Sequence, residues 1–484
     1  MAGSGGVPGP GSWAALGRAT SRRALLLGGA GTVLLAATPG AAGQRNPVRE
    51  APTRVATWAT APTAVKPGQV ITVANQTIRQ VVHLSVGGDR PCVTLTNTFG
   101  TSAVRIATAR IALRRGTFDS VATVPGTGRQ LTFGGRTEAV LPAGGTLTSD
   151  PADLILPPGG DLVISLYLPE PAPIGTVSPQ SFQSTLIGDG DMTFATEPFA
   201  GSWVGRYLLL SGVTVRASRS AASIAALGDS ITVGVRTQLN TNHRWTDLLA
   251  TRLRLHDPDR DDPGINDVRF TGAETGAETV AGSGAGSGSV PAGRLAQHGQ
   301  VRKPGLLRQR GVLNLGLSGN RLLVGFEQPT GRSGERAHAG PSAVRRLERD
   351  VLEQSGVRYL ITLIGVNDLG QTPGTTAEDL IAGHREIISR GRRAGLRVYG
   401  GTLLPFGGAR STYDNARNRV ERERFNTWMR TSGEYDAVID FDAAIRDPRD
   451  PRRMLAAYDC GDHLHPNDAG MGALAAAVPL ALFA

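Results

Sequence analysis

Ser230 closes the apolar run Ser223-Ile224-Ala225-Ala226-Leu227 through the turn Gly228-Asp229-Ser230-Ile231. Far along the chain, Asp462 and His465 stand together in Asp459-Cys460-Gly461-Asp462-His463-Leu464-His465-Pro466. These are the residue types of nucleophilic catalysis. A hydroxyl attacks once an imidazole takes its proton, and the imidazole needs a carboxylate on its other nitrogen to fix the tautomer. Two further turns lie between them, Gly316-Leu317-Ser318-Gly319-Asn320 and Gly365-Val366-Asn367-Asp368. An oxyanion forming at an attacked carbonyl needs donors already in place. The backbone N–H groups of Ser230 and Gly316 and the side-chain amide of Asn367 are the candidates.

Each of these residues also has a plainer use. Ser230 could cap the helix that follows it, Gly316 could serve a tight turn, and Asn367 could brace a loop. Asp229 and Asp368 read as structural carboxylates that bond loop amides. Asn320 and Arg321 could line the site or brace the same loop. His463 with Asp462 or Asp459 could hold a metal, but no further histidine motif accompanies it. Ser318 is a rival nucleophile, yet neither serine turn completes the Gly-x-Ser-x-Gly elbow. His83 and His243 read as ordinary strand or surface residues.

Two kinds of element must position these groups. Over residues 50–218 the pattern has period two, as in Thr77–Leu84, Cys92–Thr96, Val104–Leu113 and Leu162–Leu168, punctuated by glycine turns. Such a stretch predicts an all-β sandwich, jelly-roll-like, in which Trp203 and Tyr207 are either stacking residues of a glycan-binding face or, as favoured, packed in its core. Over residues 221–484 strand and helix alternate. Predicted strands are Ser223–Leu227, Gly311–Leu315, Val357–Ile364, Leu396–Leu403 and Ala437–Phe441. Helical spacing marks Trp245–Leu253, Val344–Leu352, Val420–Met429 and the tail after Pro466. Thr375 and Glu378 have the spacing of a capping box opening another helix. Alternation predicts an α/β domain, a parallel sheet between helical layers, with all four turns at the carboxyl ends of its strands. Residues 271–294, rich in Gly, Ser and Ala, read as a flexible surface insertion.

The 484 residues carry 51 Lys+Arg against 41 Asp+Glu, a net charge of +10. Lysine occurs only at Lys66 and Lys303, and the arginines are scattered rather than gathered in a stripe, which argues against nucleic acid as a partner. The 40% hydrophobic content excludes a mainly disordered chain. The two cysteines, Cys92 and Cys460, cannot form a disulfide scaffold, and one bridge or two thiols both remain open. Residues 1–42 read as a secretory signal. Arg22-Arg23 point to the twin-arginine route, followed by an apolar run too short and glycine-broken for a membrane span. Whether the signal is cleaved or kept as an anchor stays open.

Taken together, the four turns resemble the SGNH, or GDSL, hydrolase superfamily. Gly228-Asp229-Ser230 is similar to its first block, Gly316 to its glycine block, Gly365-Val366-Asn367-Asp368 to its asparagine block, and Asp462-x-x-His465 to its last. The resemblance covers residues 221–484. The whole chain resembles secreted actinobacterial GDSL-type esterases with an N-terminal β-sandwich. It implies an SGNH-hydrolase-like three-layer α/β/α fold and ester hydrolysis through an acyl-serine, with no cofactor and no metal. It assigns Ser230 as nucleophile, His465 as base, Asp462 as its support, and Gly316 and Asn367 with Ser230 as oxyanion partners. The expected protein is a secreted esterase for small acyl groups, acting on a small ester or an acylated polysaccharide. The alternatives are a lipase or lysophospholipase-type acylhydrolase, and a glycan-binding protein with an inactive hydrolase domain.

Overall fold

The computed structural model describes residues 53–66, 68–256, 309–325 and 339–484. The signal read over 1–42 and the insertion read over 271–294 lie outside these residues. Residues Glu50–Ala484 form one compact unit.

Its N-terminal part is all-β. One antiparallel sheet runs in the order Thr53–Ala59, Leu210–Ala217, Gly88–Thr96, Thr146–Thr148. A second runs Ser202–Val204, Thr185–Asp189, Gln76–His83, Asp161–Leu168, Thr108–Leu113, Arg129–Gln130. Alternate residues of each face a shared apolar core. Leu162, Ile164, Leu166 and Leu168 from one strand meet Val93, Leu95, Val213 and Val215 from the other sheet. This is the period-two pattern converted into burial. The opposite face of the second sheet carries the buried Arg79, whose guanidinium donates to the carbonyls of Met192, Ala195 and Glu197 and lies 4.7 Å from the Phe199 ring. The long strand read over Val104–Leu113 is two, Val104–Ile106 and Thr108–Leu113. Tyr207 is buried edge-on to Trp58, as its expected core role requires. Trp203 is not in the core. It sits on an edge strand and is about half exposed, because the short strand Ser202–Val204 has a neighbour on one side only.

From Ala222 onward the chain builds a five-stranded sheet whose pairings are all parallel. Its strands in chain order are Ala222–Gly228, Arg310–Gly316, Val357–Leu363, Arg397–Gly401 and Ala437–Ile439. In space the second lies beside the first, and the third, fourth and fifth follow on the other side. Among the described residues the α-helices are α1 (Ser230–Val233), α2 (Trp245–Leu255), α3 (Ala343–Leu347, continued by a π turn to Leu352), α4 (Val366–Gln371), α5 (Ala377–Arg393), α6 (Ala416–Thr431), α7 (Phe441–Ile445) and α8 (Asp468–Ala477). The capping box of α5 sits one residue later than expected, on Thr376 and Asp379, whose side chains bond each other's backbone N–H. Thr375 instead donates its hydroxyl to the Thr372 carbonyl, inside the preceding turn.

The first strand is an interior strand, buried along its whole length, and its neighbours on either side were added in opposite directions. A crevice forms at such a switch point, outside the carboxyl ends of the strands. Ser230 follows the first strand and Asn367 the third, so the two flank it. The β-rich part is bonded directly to this sheet and to the π turn that continues α3. Ser223 Oγ donates to Ala56 O at 2.7 Å, Val312 N to Ser85 Oγ at 2.9 Å, and Arg349 Nη2 to Pro62 O at 3.1 Å.

Candidate active site

Ser230 opens α1, but it does not cap it. The cap is Asp229, whose carboxylate accepts the Ile231 N–H at 3.0 Å. The serine hydroxyl is therefore left for other work. It meets His465 Nε2 at 2.9 Å. The other ring nitrogen, Nδ1, meets Asp462 Oδ2 at 2.8 Å. The second carboxylate oxygen of Asp462 accepts the backbone N–H groups of Leu464 and His465, at 3.0 and 2.9 Å. Burial tends to raise the Asp462 pKa, but the imidazole and these N–H donors outweigh it and hold the carboxyl well below the usual carboxylate range. It stays ionised and acceptor-only, as a tautomer lock must be.

Asn367 is 2% exposed and held from three sides. Its Nδ2 donates to Asn320 O at 3.0 Å, while its Oδ1 accepts from Tyr413 Oη and Gln371 Nε2, both at 2.6 Å. Exchanging O and N would set the amide oxygen against a carbonyl, so the orientation is determined. One N–H donates to Asn320 O, and the second has no partner among the described residues. A cleft of about 380 Å³ is lined by Ser230, Asn367, Asp462 and His465 together with Ser318, Gly319, Arg410 and Tyr413. Asn367→Ala is expected to lower kcat for 4-nitrophenyl acetate by roughly 10²-fold with KM little changed, the loss typical of one oxyanion donor. Steady-state kinetics check it, and a change confined to KM overturns the donor role.

Gly316 is not among these residues. Its N–H donates to Asn314 Oδ1 at 3.1 Å, so it is not presented to the cleft. A Cβ at this position would lie 2.3 Å from Val233 N and 2.8 Å from Thr232 C. Glycine stands there because the backbone of α1 rests on it. Gly319, at φ +74° in the same turn, is the glycine of this turn that lines the cleft. Ser318 lines it too, but the imidazole faces Ser230 and not Ser318. Asn320 is a brace: its side chain bonds the carbonyls of Ala339 and Pro341 and accepts from Arg346 Nε at 2.9 Å. Arg321 reaches Thr372 Oγ1 at 2.8 Å. His463 pairs with Asp459 at 2.5 Å, and His243 with Asp468 at 2.7 Å. Asp462, committed to His465, is not free to join His463 in binding a metal. Cys92 and Cys460 are both free thiols.

Several residues of this site carried no motif. Arg346, fully buried on α3, donates to Gly228 O and Leu315 O, both at 2.8 Å, and so ties the ends of the first two strands beneath the nucleophile. Tyr413 and Gln371 orient Asn367. Asp368, from the asparagine block, does the loop-bonding expected of it: it accepts the N–H groups of Leu322 and Leu323 at 2.7 and 3.0 Å, and burial pushes its carboxyl up to about 6.

Asp229 is buried behind Ser230, and burial pushes its carboxyl up to about 7. The folded chain thus keeps a proton that an unfolded aspartate releases near pH ~4. Where the native state binds more protons, stability falls as pH rises, here between pH ~4 and ~7, with no further loss above. Asp229→Asn is expected to flatten this slope and to unfold at a higher temperature than the parent above pH ~7. Its amide oxygen still accepts from Ile231. Thermal melts across this range test it, and parallel profiles would refute it.

Comparison with known proteins adds the following. Residues 276–473 match the model of the GDSL-like Lipase/Acylhydrolase family. The match begins beyond Ser230, so the nucleophile rests on the geometry above. No curated protein matches the sequence. Among solved structures, the chain is similar to a putative arylesterase from Agrobacterium tumefaciens, at 15% identity and TM-score 0.34, covering 54% of this chain and 100% of that one. It is similar to the aryl esterase of M. smegmatis at 15% identity and TM-score 0.33, covering 53% and 95%. A family two carbohydrate esterase from Clostridium thermocellum, in complex with cellohexaose, matches at 11% identity and TM-score 0.32, covering 87% of this chain and 96% of that one.

Proposed function

We propose, from the premise that this chain carries a GDSL-like lipase/acylhydrolase domain over residues 276–473, that it is a serine esterase cleaving carboxylic esters of small acyl groups. The observation that carries the reading is the unbroken relay from Asp462 through His465 to the Ser230 hydroxyl, beside the spare N–H of Asn367. Ser230 Oγ attacks the ester carbonyl as His465 Nε2 takes its proton. The negative oxygen of the tetrahedral intermediate is met by the Ser230 and Gly319 N–H groups and by Asn367. His465 then protonates the departing alkoxide, leaving acyl-Ser230. Water, deprotonated by the same imidazole, attacks the acyl carbonyl; the second tetrahedral intermediate then expels the Ser230 oxygen, which takes the proton back from His465, and the carboxylic acid leaves. Each proton passes through His465 Nε2, which already meets the Ser230 hydroxyl at 2.9 Å.

The cleft favours a polar ester. Its lining sets the amide, hydroxyl and guanidinium groups of Ser318, Asn367, Gln371, Arg410 and Tyr413 beside short apolar stretches from Val235, Ala409 and Leu464, with no continuous apolar wall among the described residues. That suits an O-acetylated carbohydrate or a short-chain ester better than a long acyl chain, which would need an extended apolar wall. The reading includes export by the N-terminal signal and a jelly-roll-like β part packed on a three-layer α/β/α domain. Among the described residues no helix is long and apolar enough to cross a membrane. The test is turnover of 4-nitrophenyl acetate and acetylated xylan by the chain and by its Ser230→Ala variant; equal rates would remove the proposal.

A further inference from the structure

One wall of the cleft does not come from the α/β part at all. Gln180, at the end of the strand Thr176–Pro179 of the β-rich part, lines it together with Ser230 and His465. Gln180 is exposed, and its side chain has no hydrogen-bond partner among the described residues. Its backbone is left-handed, at φ +54°, and Phe182 two residues on is left-handed too, at φ +51°. Non-glycine residues adopt this conformation at a cost, and it persists only where the surroundings impose it.

The surroundings here are two buried residues from the segment that follows the nucleophile's helix. Asn240 N donates to Phe182 O at 3.0 Å, its Oδ1 accepts Ser184 N at 2.7 Å, and its Nδ2 donates to Ser184 Oγ at 3.2 Å. Arg244 Nη1 donates to Ser181 O at 2.9 Å. Within the loop, Ser181 Oγ donates to Gln183 O at 2.8 Å. The loop is therefore pinned, through Asn240 and Arg244, to the same stretch of chain that begins with Ser230. These latches fix the backbone that carries Gln180 at the wall of the cleft and leave its carboxamide free to meet a ligand there.

Resting on the esterase reading, we infer that Gln180 is a specificity-determining residue that hydrogen-bonds a hydroxyl or ether oxygen on the alcohol side of the ester. A small acyl group offers nothing for an amide to bond beyond the reacting carbonyl, which the oxyanion donors take. A sugar-like alcohol offers several oxygens. The β-rich part is then a component of the active site and not a separable module.

Gln180→Gly and Gln180→Ala test this in the full chain. Glycine accepts the left-handed backbone more easily than glutamine, so the first variant removes the amide without straining the loop. For acetylated xylo-oligosaccharides, KM is expected to rise roughly fivefold with kcat retained, the size of one neutral hydrogen bond. For 4-nitrophenyl acetate, whose alcohol is a flat arene, kcat/KM stays within about twofold. Unchanged constants on both substrates, or equal losses on both, overturn the inference. A parent enzyme that cleaves 4-nitrophenyl acetate but no acetylated oligosaccharide overturns it too, while leaving ester hydrolysis standing. A chain inert to both sinks the esterase reading itself.

Discussion

Ser230→Ala lowers kcat for 4-nitrophenyl acetate by on the order of 10⁵-fold, while the unfolding temperature moves by no more than about a degree or two. The two halves of this expectation have separate causes. The hydroxyl is the group that His465 Nε2 faces, at 2.9 Å, so its loss removes the nucleophile and leaves the imidazole nothing to activate. The fold, by contrast, asks little of it. Had Ser230 been the N-cap of α1, truncation would cost about 1 kcal/mol of helix stability. That duty belongs to Asp229, which bonds Ile231 N. His465→Ala should cost a similar factor, and the double variant no more than either single one, because the members of such a relay act as a unit. Steady-state rates on the purified variants decide it. A Ser230→Ala protein that keeps a tenth of the activity would point to another nucleophile, with Ser318 the first to test.

The large divisions of the molecule were legible because each follows from a periodicity. Alternating apolar residues such as Leu162, Ile164 and Leu166 can only bury one face, and the helical spacing of Trp245, Leu249 and Leu253 can only bury one stripe. The serine, histidine and carboxylate were legible because few roles demand all three at the ends of strands. What stayed hidden depends on three-dimensional approach. Gly316 and Gly319 sit in one five-residue turn, and nothing in the residue types says which faces the cleft. The backbone of Thr232 and Val233 decides that by lying against Gly316. Tyr413, Gln371 and Gln180 reach the site from segments without a motif, and Gln180 arrives from the other half of the chain. Trp203 was misread because an aromatic in a period-two stretch has the same signature on an edge strand as in a core.

Asp462→Asn is expected to lower kcat by about 10³-fold or more, and to be no better than Asp462→Ala. The reason lies in which way the new amide must face. In the native chain Oδ1 accepts two backbone N–H groups, from Leu464 and His465, and Oδ2 faces the imidazole. An asparagine can satisfy those two donors only by keeping its oxygen there. Its NH₂ then points at His465 Nδ1, which must become the acceptor. The ring proton moves to Nε2, the nitrogen that has to accept from Ser230, and the relay holds the wrong tautomer. Alanine loses the lock without reversing it, so it leaves both tautomers accessible. The Asp462 side chain is about a third exposed, and Arg236 Nε lies 3.8 Å from Oδ2, so solvent and a cation temper its field. Its orienting role is unaffected by either. If Asp462→Asn retained activity within tenfold of the parent while Asp462→Ala did not, the carboxylate would matter as a spacer rather than as the group that decides where the proton sits.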